Sequence, residues 1–462
     1  MHNQRGMKTL GFTICIALVA AACGDDKNMA DPRLIAGGGV GDGSIAGRVN
    51  VYTIDGDTDD PVGSAEIFIG EPGDESLEAT TDSSGLVTVD DDLLDGPTTI
   101  TVVANGYITS TWFGADGANV TIPLEAKDEP TNLPQATIGG TIDGWEDLPA
   151  PDTGHFYVGI VSYSQTDDLG DPVNNLEQPS GNNGLPANAC VLAEFLTECD
   201  FEVNSRTGNV AIFATIIDID TKGTEADTDD TNEIIGFAYK LDVTIEDGVD
   251  QSGVILEQIE IGAMTDVSLV VPRLPSGLDD VGAVMALDTA DNGILMIGFF
   301  GDPQQDVISV PKLSGDFSGD TYRAIAFAGN EDDEPDDEST PSSTILLRGI
   351  SDLTADIDLG DWLELPTDVA LSSGEYSFTP VDGAALHTAS IVNTIGDTKW
   401  DIVLLDGRTA FTLPGLDPDP VPSTFDLAVS ALEGSLDVTD FAIDDVIDSI
   451  DRTSRNRKRV SQ

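Results

Sequence analysis

The stretch Ala79-Thr80-Thr81-Asp82-Ser83-Ser84-Gly85-Leu86-Val87-Thr88-Val89, with Gly96-Pro97-Thr98-Thr99-Ile100-Thr101-Val102-Val103-Ala104-Asn105-Gly106-Tyr107 shortly after it, decides the fold class. Thr81 to Gly85 reads as a turn between two strands, with Gly85 free to take the positive φ that a Cβ resists. Ile100, Val102 and Ala104 alternate, which sends them together toward one core. Upstream, Ile45-Ala46-Gly47-Arg48-Val49 and Pro61-Val62-Gly63-Ser64-Ala65-Glu66-Ile67-Phe68-Ile69 have the same character.

Outward from this stretch the pattern repeats. Val210–Ile217, Ile234–Leu241, Gly293–Phe300, Tyr322–Ala328 and Trp400–Leu405 are short β-prone runs bounded by Gly, Asp, Pro and Asn. Such spacing predicts an all-β chain of tandem β-sandwich domains. A helical period occurs at Ile443, Val446, Ile447 and Ile450, behind a cap at Thr439 or Asp440, and predicts a short C-terminal helix. Arg452, Arg455, Arg457, Lys458 and Arg459 then read as a frayed basic tail, with anionic headgroups or the protein's own acidic surface as its alternative contacts.

The N-terminus predicts export. Arg5 and Lys8 precede an apolar run from Leu10 to Ala22, which ends at Ala20-Ala21-Ala22-Cys23-Gly24-Asp25-Asp26. Basic stub, apolar stretch and small residues describe a secretory signal peptide. The run is shorter than the about 20 residues that span a bilayer. A Cys directly after the small residues resembles the lipobox of bacterial lipoproteins, although Ala20 stands where that family prefers Leu. The resemblance implies lipidation at Cys23 and a membrane as partner, with two or more acyl chains giving firm attachment. Gly24 rather than Asp after the Cys favours the outer membrane, on either face. Polar residues and Gly37-Gly38-Gly39 then form a flexible tether.

The first mature segment, from the residues quoted at the outset and its closing Ala104-Asn105-Gly106-Tyr107, resembles the carboxypeptidase regulatory-like domain, a seven-stranded prealbumin-like sandwich. The resemblance covers about Gly43 to Ala126 and implies a spacer or interaction unit. It carries no peptidase activity, since the zinc-bearing catalytic domain of those enzymes is absent. Residues 360–416, with Tyr376-Ser377-Phe378-Thr379-Pro380 and Trp400-Asp401-Ile402-Val403-Leu404, resemble a fibronectin type III sandwich, with Trp400, Ile402 and Leu404 on one strand face. The expected layout is 1–22 signal peptide, 23–43 lipidated tether, 44–126 regulatory-like sandwich, 127–134 linker, 135–272 a β-sandwich of unassigned family, 273–435 a further β-sandwich region, and 436–462 helix and tail. Linker-like stretches also lie at Pro272–Asp280 and in the acidic run Asn330–Ser342.

The chain has 84 acidic and 20 basic residues, a formal net charge of −64, which argues against nucleic-acid binding, since phosphate neutralisation needs clustered Lys and Arg. Of the four cysteines, Cys15 leaves with the signal and Cys23 is the anchor; Cys190 and Cys199 are expected to pair in an oxidising compartment. No set of Cys and His has zinc-site spacing. With three His in the chain and no nucleophile elbow, no catalytic residues are assigned. Gly315-Asp316-Phe317-Ser318-Gly319 and Asp152-Thr153-Gly154 carry the letters of protease motifs without their surroundings and read as turns. No cofactor is expected other than calcium. Asp218-Ile219-Asp220-Thr221-Lys222-Gly223 places acids at positions 1 and 3 and Gly at 6 of an EF-hand-like loop, and Asp227, Asp229 and Asp230 would add oxygen ligands. Lys222 and the flanking strands depart from that pattern, and a solvated hairpin tip is the other reading. Asp55, Asp57, Asp59 and Asp60 form a second such cluster. Trp112, Trp145, Trp362 and Trp400 offer either core or sugar-stacking surfaces. The expected role is a non-catalytic, lipid-anchored envelope or surface protein that binds or spaces, with an envelope protein or polysaccharide as partner. The alternatives are a carbohydrate- or calcium-binding adhesion protein, and an exported hydrolase whose site lies in the middle region.

Overall fold

The computed structural model describes residues 44–461 apart from 57–59, 73–75, 128–134, 166–186, 193–198, 222–230, 259–262, 290–292, 301–306, 331–340, 395 and 437–448. Regular structure among the described residues consists of strands and 3-10 turns, in keeping with the all-β expectation. No helix among them is long and apolar enough to cross a membrane.

The first seven strands are β1 (Ala46–Asp55), β2 (Glu66–Ile69), β3 (Leu77–Thr80), β4 (Leu86–Asp95), β5 (Thr98–Val103), β6 (Thr109–Ala115) and β7 (Asn119–Leu124). They form two layers, β4-β1-β7 and β6-β5-β2-β3. Val49, Val51, Ile67, Ile69, Ile100, Val102, Val120 and Ile122 are almost wholly buried in the core cluster of these strands. The decisive turn forms as its residues dictate. Asp82 Oδ1 accepts from the Ser84 amide (2.8 Å), the Ser84 hydroxyl (2.6 Å) and the Leu86 amide (3.2 Å). Gly85 sits at φ +72°, where a Cβ would meet the Thr53 carbonyl oxygen at 2.4 Å, so close approach and backbone hand both demand glycine there.

Next come β8 (Gln135–Ile142), a 3-10 turn at Trp145–Asp147, β9 (His155–Gln165), β10 (Ala189–Leu192), β11 (Asp200–Arg206), β12 (Gly208–Asp220), β13 (Thr231–Ile245) and β14 (Gln251–Gln258). They make one sheet in the order β10-β9-β12-β13-β14-β8-β11. The sheet rolls until its two edges meet. Cys190 of β10 is bonded to Cys199 beside β11, with their Cα atoms 5.1 Å apart, and the Glu202 amide donates to the Ala187 carbonyl. Inside the roll lie Ile138, Trp145, Val161, Tyr163, Val203, Ile212 and Leu256.

The remaining strands are β15 (Met264–Val270), β16 (Asp280–Thr289), β17 (Gly293–Phe300), β18 (Val307–Pro311), β19 (Thr321–Gly329), β20 (Ser342–Ile350), β21 (Ile357–Asp358), β22 (Thr367–Ser372), β23 (Glu375–Thr379), β24 (Leu386–Val392), β25 (Thr398–Leu404), β26 (Ala410–Phe411), β27 (Thr424–Gly434) and β28 (Ile450–Ser461). A twelve-stranded sheet runs β17-β16-β19-β20-β28-β27-β24-β25-β6-β5-β2-β3. It joins early and late sequence through a parallel ladder in which Trp400 to Leu404 of β25 pair with Thr109 to Phe113 of β6. Trp400, Ile402 and Leu404 fall into one buried cluster with Phe113, Tyr376 and Phe425.

The C-terminal helix is not seen. Ile443, Val446 and Ile447 lie outside the described residues, and Ile450 opens β28. The basic tail is therefore not frayed. It is an interior strand, paired antiparallel with β27 along its length and with β20 at Ile345–Ser342.

Candidate functional site

The expected calcium ligands Asp218 and Asp220 belong to a strand rather than a loop. β12 is paired on both sides up to Asp220, which stands opposite His155 on β9 and Thr231 on β13. Strand alternation puts the two carboxylates on one face, and His155 lies between them. Its Nδ1 is 3.0 and 3.1 Å from the two oxygens of Asp218, and its Nε2 is 3.6 Å from Asp220 Oδ1. Thr221 fixes the strand end, its amide and hydroxyl both donating to the Gly154 carbonyl. Asp227, Asp229 and Asp230 lie outside the described residues. Among the described residues no group of three or more His, Cys, Asp or Glu side chains is placed to hold a metal ion. In the second acidic cluster Asp55 accepts from the Tyr107 hydroxyl at 2.8 Å, while Asp57 and Asp59 lie outside the described residues. Cys23, the expected lipidation residue, lies outside them too.

His387 is buried on β24, where its Nε2 accepts the Val381 amide at 3.1 Å and its ring lies 5.2 Å from that of Phe378. Burial pulls its pKa below the ordinary imidazole value, so the neutral acceptor form is the stable one. All four tryptophans are core residues, with exposures of 4% (Trp112), 1% (Trp145), 8% (Trp362) and 0% (Trp400). None presents a face to a sugar ring. Gly315–Phe317 is a short 3-10 turn with Phe317 buried. Asp316 of that turn accepts the Tyr239 hydroxyl at 2.9 Å, and burial together with this contact pushes the Tyr239 pKa up to about 12.

The basic strand pairs two of its arginines with a buried acid on its neighbour. Asp426 on β27 is 2% exposed. Arg459 Nε and Nη2 donate to its two oxygens at 2.8 and 2.7 Å, and Arg457 Nη1 stands 3.6 Å away. The Arg459 hydrogen bond holds the Asp426 carboxyl below the usual range against the opposing effect of burial, with the charges of Arg457 and Arg459 adding to it. Arg452 pairs with Glu433 and donates to the Asp361 carbonyl. A second node ties early sequence to late: the Arg408 guanidinium bonds both oxygens of Glu71 (3.0 and 3.1 Å) and of Asp406, and lies 4.3 Å over the Phe113 ring.

Among the described residues, an accessible concavity lies in the rolled sheet of the middle region. It is a cleft of about 1310 Å³ between β13 and β14, floored by the Asp143–Pro149 segment. Asp143, Asp147, Asp242 and Glu257 give it carboxylates, Lys240 one cation, and the Nε2 of Gln258 is buried there without a hydrogen-bond partner. Sequence reasoning missed this site. Its trace in the sequence is Gly253, a glycine inside a strand, which marks a bulge or an opening.

No family model matches this sequence. No curated protein matches it either. Among solved structures it is aligned with the Bacillus anthracis TIE protein at 10% identity, over 68% of this chain and 49% of that one, with a TM-score of 0.15. BcpA, the major pilin subunit of Bacillus cereus, aligns at 10% identity over 68% of this chain and 98% of its own, with a TM-score of 0.14. The pilus adhesin SpaC of Lactobacillus rhamnosus GG aligns at 7% identity over 77% and 43%, also with a TM-score of 0.14. The chain thus spans about half the length of the TIE protein. TM-scores this far below one half mark no common fold.

Proposed function

We propose that this chain is an exported lipoprotein, anchored through Cys23 to a cell-envelope membrane, the outer membrane by preference, and that it acts as a non-catalytic binding or spacer module. The observation that carries the anchor is the order of basic stub, apolar run and Ala20-Ala21-Ala22-Cys23. The β-rich body supports the rest, with its first seven strands in two layers as a carboxypeptidase regulatory-like unit would have them. The fibronectin type III likeness of residues 360–416 belongs to the same reading. An envelope protein is the favoured partner over a polysaccharide, because all four tryptophans are buried. Calcium remains the proposed ion for Asp218 and Asp220 with Asp227, Asp229 and Asp230, in competition with His155 for the first two. The test is intact mass and detergent partitioning of the native protein beside Cys23→Ala. A diacylglycerol-sized addition that the variant lacks supports the anchor; an unmodified native protein that stays aqueous removes it.

The cleft favours one second reading, an exported hydrolase using two of Asp143, Asp147, Asp242 and Glu257. A screen of glycan and peptide substrates tests it. Turnover abolished by Glu257→Gln or Asp147→Asn would establish an enzyme, and silence across the screen would retire that idea.

A further inference from the structure

Arg455 stands apart from the other arginines of β19, β20 and β28. Each of those faces a carboxylate: Arg323 meets Asp288, Arg348 meets Asp451, Arg452 meets Glu433, and Arg457 and Arg459 meet Asp426. Among the described residues no carboxylate pairs with Arg455, in a chain that carries 84 acids. Yet it is the most enclosed arginine of its strand, 8% exposed, with Nε buried and without a hydrogen-bond partner. In the ladders Arg455 lies opposite Ser430 of β27 and Ser342 of β20, and Ser430 lies opposite Thr388 of β24. Residues directly opposite share a sheet face, so Ser342, Arg455, Ser430 and Thr388 form one row across four strands. Thr388 is 1% exposed, and its Oγ1 also lacks a partner. Ser342 and Ser430 are half-buried. Ser390, two residues further along the same face, has its need met by Asp401 at 3.0 Å.

We propose that this row binds an oxyanion, the phosphate or carboxylate group of a ligand, seated over Ser430 between Arg455 and Thr388. A buried charge without compensation is costly, and a buried hydroxyl without a bond adds to the cost. A negative group that offers only acceptors answers both, because the guanidinium and the three hydroxyls can all donate to it. A neutral sugar hydroxyl would leave the charge uncompensated. Arg457 and Arg459, next along the same face, add to the attraction while Asp426 holds them in place. The site lies outside the middle cleft and needs no membrane anchor, so it goes beyond the function proposed above.

The full chain in detergent is titrated calorimetrically with inorganic phosphate and with acetate. Chloride keeps the ionic strength at about 150 mM, where screening over about 8 Å suppresses diffuse attraction. Saturable binding of one of the two, with a Kd of about 1 mM or tighter, is expected. Tighter phosphate points to a phosphate-bearing ligand, and tighter acetate to a carboxylate. Arg455→Met is expected to weaken binding about tenfold or more, the loss of a charge-assisted bond. Lys458→Met removes an equal charge from the opposite, exposed face and should leave the affinity unchanged. Thr388→Val should lower the affinity while leaving the anion-free chain no less stable, since an unpartnered buried hydroxyl is gone. Absence of saturable heat from either anion would overturn the inference. So would an affinity unchanged in Arg455→Met or, should that chain not fold, in Thr388→Val. An unmodified Cys23 would leave all these results as they are.

Discussion

The Asp426 node should respond asymmetrically to removal of its two sides. Asp426 is 2% exposed, whereas the side chains of Arg457 and Arg459 are 22% and 57% exposed. Replacing the arginines leaves a carboxylate enclosed between β24 and β28 with no cation, and an uncompensated buried charge costs about 3–5 kcal/mol. Replacing the aspartate leaves two arginines that can turn to water, so the cost is that of a half-exposed pair, about 1 kcal/mol. Arg457→Ala/Arg459→Ala should therefore destabilise several-fold more than Asp426→Ala. Acid tests the reasoning further. In the native chain the Asp426 pKa is depressed, so its contribution is present above the ordinary carboxylate value near 4 and lost as pH falls through the lower folded value. In the double variant the carboxylate loses the cations that lower its pKa, and protonation relieves it. The gap between native and double-variant stability should then shrink by roughly half or more from pH 7 to pH 3. Denaturant unfolding followed by tryptophan fluorescence reads both effects, since Trp400 lies two strands away in the same sheet. An Asp426→Ala cost equal to that of the double variant, or a gap indifferent to pH, would refute the account.

Three further outcomes are expected. Breaking the Cys190–Cys199 bridge, by Cys190→Ser/Cys199→Ser, should cost about 2–3 kcal/mol through the short loop it closes, measured by denaturant midpoint. Gly85→Ala should cost about 1–3 kcal/mol, because a Cβ there is both left-handed and 2.4 Å from the Thr53 carbonyl; a neutral thermal shift would count against the turn geometry. His387 contributes stability in full above the ordinary imidazole pKa near 6.5 and loses it as the pH falls from there toward its lower folded value. His387→Gln, uncharged throughout, should flatten the stability profile between pH 7 and pH 5.

Local chemistry made the strand pattern readable, and long-range pairing hid the rest. The Thr81–Gly85 turn and the alternation of Ile100, Val102 and Ala104 are set by neighbours in sequence, and the structure has them as read. The Cys190–Cys199 pair was legible because, of four cysteines, these two lie nine residues apart in the β-rich body of the chain, away from Cys15 and Cys23. The ladder of β25 on β6 joins residues about 290 positions apart, and no local pattern announces it. β28 misled for a different reason. A run as charged as Arg455 to Arg459 has low strand character alone, and it is held as a strand with Asp426 across from Arg459 and, earlier in β28, Glu433 across from Arg452. Asp218 and Asp220 read as loop ligands because carboxylates mark turns, yet β9 and β13 hold both in a ladder beside His155. The cleft left only Gly253 as its mark, because its lining comes together from β13, β14 and the Asp143–Pro149 segment, which lie far apart in sequence.

The place of β1 has a mechanical consequence. It lies between β4 and β7, running parallel to β7 from Asn50 to Asp55 and antiparallel to β4. Tension entering at residue 44 pulls along the axis of this strand, across bonds that lie mostly transverse to it. Both ladders then resist together in shear instead of parting one bond at a time. A load applied on the N-terminal side of β1 would therefore meet both ladders at the first element it reaches.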